Sequence, residues 1–127
     1  MKLNQSQYLA LTTFRKSGQG VSTAMWFAIE GDRIYMQTNA ASWKVKRIAN
    51  SARVQVCPSD SRGKPLGEMV EGTATLHPPK SAVEARSIEL LTKHYGWIFR
   101  LFNFGLWLFR RKLVYIEVQL QGSPVNS

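Results

Sequence analysis

Three runs of strand-forming residues lie almost back to back near the start of the chain: "QYLALTTF" at 7–14, "VSTAMWFAIE" at 21–30 and "RIYMQT" at 33–38. Only "RKSGQG" and "GD" separate them, six and two residues of turn chemistry. A parallel crossover needs roughly a dozen residues, so connections this short force antiparallel pairing. The third run alternates, with Ile34 and Met36 on one face and Tyr35 and Gln37 on the other. An antiparallel meander is therefore what this chain must build first, and later segments have to complete its sheet.

The stretch "TNAASWKVKRIANSARV" (38–54) follows the third run. Ser42 is suited to cap a short helix, because its hydroxyl can accept an amide hydrogen bond there. Val45 and Ile48 give that helix one apolar edge. "ARVQVCPSD" then alternates as a fourth strand with Val54 and Val56 on one face, and "SRGKPLG" reads as a loop. A fifth strand is expected at about 68–77, where Val70, Gly72, Ala74 and Leu76 share a face. Pro78 and Pro79 suit the first turn of a longer helix with Ala85, Ile88 and Leu91 three apart, and Gly96 is its expected stop. In "KLVYIEVQL" the pattern puts Val114, Ile116, Val118 and Leu120 inward and Tyr115, Glu117 and Gln119 outward. The tail "QGSPVNS" has no such pattern and is expected to fray.

Six mostly antiparallel strands with few, peripheral helices predict a mainly β fold, a small barrel whose closure removes exposed sheet edges. The 127 residues suit one domain, 1–127, large enough to bury a real core. The start, "MKLNQSQYLALTTF", carries no signal-peptide pattern, so the expected compartment is the cytoplasm. Cys57 is the only cysteine, which excludes an internal disulfide and a cysteine-rich metal site; it reads as a half-buried strand thiol. No metal site is expected.

Lysine and arginine exceed aspartate and glutamate by 17 − 8 = +9, a balance that favours anionic partners. The helix start near Ser42 has the chemistry for one. Its first-turn amides are unpaired and the helix dipole adds positive potential. Lys44 adds a full charge, and Thr38 and Ser42 add hydroxyl donors. A solvated basic helix with an ordinary cap explains the same residues, and no "GxxxxGK[ST]" or "GxGxxG" loop is present. On the second strand, small or polar Ser22, Thr23 and Ala24 beside Met25 and Trp26 form a shelf suited to a flat heterocycle, or ordinary core alternation. No catalytic acid, base or carboxylate pair stands out. His77 and His94, beside helix ends, suit surface or capping roles.

The run from Tyr8 to Leu76 resembles the pyridoxamine 5′-phosphate oxidase-like, flavin-binding split β-barrels, and within them the branch of coenzyme F420-dependent enzymes. The parts that carry the likeness are the second strand around Thr23 and Trp26, "SWKVKRI", "DSRGKPLG" and "VEGTA"; it continues more loosely through "LTKHYGWIFRLFNF". The resemblance implies a six-stranded, homodimeric split barrel that binds FMN or F420 at the subunit interface. It implies that Ser42, Trp43 (through its amide) and Lys44 hold the cofactor phosphate. Thr23, Ala24, Met25 and Thr38 would line the ring and ribityl chain. Ala24 stands where many relatives carry Pro, and Ser42 where some flavin-binding relatives carry Arg. The implied activity is that of an oxidoreductase acting on a small molecule; the alternative is a protein that stores or senses flavin or haem without turnover.

The apolar run "WIFRLFNFGLWLF" (97–109) is shorter than the ~20 residues that span a bilayer. Three roles are open to it: packing on the barrel or on a partner subunit, covering a pocket for an apolar substrate, or lying in a membrane surface. Nucleic acid suits the charge alone, but the aromatics gather in this one segment instead of alternating with cations on a strand face.

Overall fold

The structure, a computed structural model, describes residues 2–108 and 112–121. Residues 109–111 of the apolar run and its basic flank, and the expected frayed tail at 122–127, lie outside the described residues. Seven strands form one antiparallel sheet: β1 (Tyr8–Phe14), β2 (Gly20–Met25), β3 (Ala28–Glu30), β4 (Arg33–Asn39), β5 (Arg53–Ser59), β6 (Val70–His77) and β7 (Leu113–Leu120), in the order β2-β1-β5-β6-β7-β4-β3. Three α-helices accompany them, α1 (Trp43–Asn50), α2 (Ala82–Tyr95) and α3 (Trp97–Leu108), with a short 3-10 helix at Leu3–Gln5. The fold is a split β-barrel.

The count is seven strands rather than the expected six because the second run breaks at Trp26–Phe27. Its first half pairs with β1 and its second half with β4, at opposite edges of the sheet. One continuous segment thus turns a corner between the two edges and draws the sheet closed. At the corner the Phe27 side chain is fully buried, and its N–H donates to the Tyr95 hydroxyl (2.9 Å) instead of to a strand. Period-2 alternation does not register such a corner, since residues on both sides keep alternating.

The two tight connections behave as their residues require. Gly31 has φ 62°, and Gly31–Asp32 closes the β3–β4 hairpin with Glu30 opposite Arg33. Inside the barrel, Met36 lies opposite Ile116 and Ile34 opposite Val118, all fully buried. Ile48 of α1 reaches the same core. Gly72 is required by close packing: a Cβ there would come within 2.7 Å of Val118 Cγ1 and 3.1 Å of the Gln119 carbonyl. Cys57 is fully rather than half buried, and burial pushes its thiol pKa up.

Around α2 two expectations are corrected and a third is refined. The prolines precede the helix; Ser81 caps it, accepting from the Glu84 N–H at 3.2 Å, while the Glu84 carboxylate accepts from the Lys80 N–H. Leu91 is buried and Ile88 packs against the same cluster, so of the three spaced residues only Ala85, which is exposed, falls outside the packed face; Ser87 is buried as well. Tyr115 does point out of the barrel, yet it is buried, its hydroxyl donating to Glu84 Oε1 at 3.2 Å. Gly96, with φ 68°, ends the helix where expected.

Candidate functional site

The end of β4 turns directly into α1. Asn39 Oδ1 accepts from the Ala41 N–H at 2.9 Å, and the Asn39 carbonyl accepts from the Ser42 N–H at 3.0 Å. This turn sets Ser42 at the N-cap in extended backbone (φ −69°, ψ 153°), but its hydroxyl makes no capping bond. Ser42 Oγ is buried and has no hydrogen-bond partner. Lys44, in the first turn, donates from Nζ to Thr38 Oγ1 at 3.2 Å. Among the described residues it joins no ion pair. Burial, and secondarily Arg47, hold its pKa below the ordinary lysine range. A desolvated cation without a carboxylate, beside an unsatisfied hydroxyl and free helix-start amides, is a corner that an anion would complete.

From this polar corner a cleft of about 290 Å³ runs towards the strand break and the helices. Ala24, Met25, Gln37 and Lys44 line it on one side, and Leu91, Phe99 and Phe102 contribute from α2 and α3. Trp26 also lines it, stacked on Tyr95 with ring centroids 4.8 Å apart and 5.2 Å from Phe102. The Tyr95 hydroxyl also donates to the Gln7 carbonyl at 2.8 Å. Burial drives its pKa up to about 12 against the opposing Phe27 hydrogen bond, so Tyr95 is a neutral clamp. Gln37 Nε2 donates to Asn103 Oδ1 at 2.8 Å, which leaves its buried Oε1 without a donor. The loop after β5 approaches Ala24, the space for a Cβ at Gly63 lying 3.7 Å from the Ala24 nitrogen. Asp60 orders that loop by accepting from the Lys64 and Arg62 N–H groups at 2.9 Å, which lower its carboxyl pKa.

The structure distributes the seven expected site residues unevenly. Ala24, Met25 and Lys44 line the cleft, Thr38 is bonded to Lys44, and Ser42 sits at the head of the same helix. Trp43 points its ring into solvent with Lys46 Nζ 4.3 Å above it, leaving only its backbone at the corner. Thr23 lies opposite Leu11 in the sheet, on the reverse face from Ala24, and is not part of the cleft lining. Tyr8, Gln37, Phe99 and Phe102 line the cleft without having been singled out. Gln37 carries a sequence signal, a lone amide facing away from a buried strand face, but that signal suits any solvent-facing strand position. Of the two histidines, His77 Nε2 lies 3.2 Å from Glu117 Oε1, and the His94 ring lies 5.8 Å from that of Phe27.

An antiparallel split barrel with an aromatic cleft that ends in an anion-receptive helix start defines a ligand-binding class of small β-barrel. Residues 2–120 match the family described as pyridoxamine 5′-phosphate oxidase, and the chain belongs to that family. No curated protein matches it. Among solved structures it is similar to the haem storage protein HutZ from Vibrio cholerae, with a TM-score of 0.71 and 11% identity over 94% of this chain and 85% of that one. It is similar to an F420 reductase (TM-score 0.61, 20% identity, 94% and 91% covered). A third is an FAD-binding protein from Mesorhizobium loti (TM-score 0.63, 16% identity, 94% and 83% covered). At these identities the likeness is one of fold.

Proposed function

We propose that this chain is a flavin- or deazaflavin-dependent oxidoreductase that holds FMN or coenzyme F420 in the cleft and acts on a small molecule. The observation that carries the reading is the corner where buried Ser42 Oγ lacks a partner near Lys44, a half-buried cation with no ion pair among the described residues. A phosphate supplies acceptors for both, together with the first-turn amides of α1. Ala24, Met25 and Trp26 offer a ring a flat, mostly apolar bed, and Gln37 Oε1 offers its N–H edge an acceptor. Family membership and the names of two structural relatives, an F420 reductase and an FAD-binding protein, support the same class of cofactor.

When bound, such a ring supplies hydride or electron transfer, and the protein contributes binding, orientation and exclusion of water. Thr38 holds Lys44 in place, and the aromatic wall of Trp26, Phe99 and Phe102 keeps water from one side. The cleft of one protomer is open and only about ring-sized. We therefore also propose a homodimer in which the second protomer covers the rest of the cofactor.

The test is the absorbance spectrum and mass of the small molecule that co-purifies, followed by titration with FMN and with F420. A colourless protein that binds neither overturns the reading. Storage or sensing of flavin or haem is the competing role, favoured by the lack of an acid–base pair among the cleft residues. Turnover of the bound cofactor with an electron donor and acceptor decides against it.

A further inference from the structure

The solvent face of α3 gathers more exposed large apolar side chains than any other element among the described residues. On a helical projection the exposed residues Phe104, Trp97, Leu101, Ile98 and Phe102 follow one another round a continuous arc, with exposed Arg100 at its edge. Trp97 is 72% exposed and Leu101 63%. Phe99 is fully buried on the opposite face, so the arc is left over after the helix has packed. Large apolar side chains exposed together along a helix mark an interaction surface.

Charge decides between occupants. From Trp97 to Lys112 the sequence holds four cations, Arg100, Arg110, Arg111 and Lys112, and no carboxylate, within a chain of net charge +9. A second copy meeting this face would bring the same cations and no acids from the matching segment. An anionic lipid surface brings the opposite charge along with an apolar layer for the aromatic and aliphatic side chains. At ~1.5 Å per residue the helix is about 18 Å long, too short for the ~30 Å of a bilayer core. No helix among the described residues is long and apolar enough to cross a membrane. The geometry fits a helix lying in the plane of the surface.

We infer that α3 is a membrane-surface docking helix, inserting Trp97, Ile98 and Leu101 among acyl chains while Arg100 at the edge of the arc meets anionic headgroups. Phe102 belongs to this face and also lines the cleft, so the docked face borders the cleft. The inference does not depend on which cofactor binds.

The test is co-sedimentation of the full chain with vesicles of mixed phosphatidylglycerol and phosphatidylcholine, against vesicles of phosphatidylcholine alone. The expected result is binding to the mixed vesicles that weakens in high salt, with little binding to the neutral ones. Leu101→Glu should reduce binding by at least about tenfold, and Arg100→Gln by about fivefold. Both positions are exposed, so the thermal melt should not change. Failure of the unmodified protein to bind the mixed vesicles overturns the inference. So does a Leu101→Glu variant that breaks a dimer yet binds vesicles as before, which would assign the face to a second copy of the chain.

Discussion

The barrel interior and the corner between β4 and α1 are built by opposite rules. In the interior, Ile116 and Val118 of β7 are fully buried against Met36, Ile34 and Ala74, packed so closely that Gly72 has no room for a methyl group. At the corner, a few residues beyond Met36, Ser42 Oγ and Gln37 Oε1 are buried without partners, and half-buried Lys44 joins no ion pair among the described residues. The Thr12 and Ser87 hydroxyls also lack partners, but neither residue lines the cleft. The difference teaches where stability has been spent. Apolar packing is tightest in the wall, whereas unsatisfied polar groups and a half-buried cation gather at the corner, the place proposed above for a ligand.

The largest effect expected from this contrast is in the wall. Ile116→Ala should destabilise the protein by about 3 kcal/mol in denaturant unfolding, through lost burial plus a cavity. A loss below about 1 kcal/mol would mean that the interior is not the tight region described. At the corner the pattern should reverse, with small stability effects and large binding effects. Lys44→Ala should weaken FMN or F420 binding by about 10- to 100-fold, the range for a hydrogen bond to a charged group, while the free protein melts no earlier. Unchanged affinity would remove the corner from the site.

Acidity sharpens the same point. Lys44 is held below the ordinary lysine value of 10.5, and it is a cation only below that lowered pKa. Affinity for a phosphorylated cofactor should therefore fall as pH rises through it. The unfolded chain keeps the proton to higher pH, so the free protein's stability contribution from Lys44 should rise across the same window. Titration of cofactor and unfolding at matched pH values would show two curves of opposite slope; parallel curves would contradict the assignment.

The smallest effect compares two serines at helix starts. Ser81 makes its cap bond, so Ser81→Ala should cost about 1 kcal/mol. Ser42 makes none, so Ser42→Ala should change the free protein's stability by less than about 0.5 kcal/mol. Its deficit should appear in cofactor affinity instead, as about a fivefold loss. Equal destabilisation by the two substitutions would make Ser42 an ordinary cap.

Sequence alone determined the local grammar of this protein. Alternation at 33–38 and 113–120, the two-residue turn at Gly31–Asp32, the helix start at Ser42 and the stop at Gly96 are written in neighbouring residues, because side-chain period and backbone preference act over a few positions. Tertiary structure decided what those pieces surround. The second run turned a corner at Trp26–Phe27 because barrel closure needs one segment to serve both sheet edges. Tyr115 became buried because α2 covers the outer face of β7 there. Lys44 became half-buried, and Ala24, Gln37, Leu91 and Phe102 came to share one cleft, through contacts between segments far apart in the chain. Burial and electrostatic field are properties of such contacts, and they exist only once the sheet has curled.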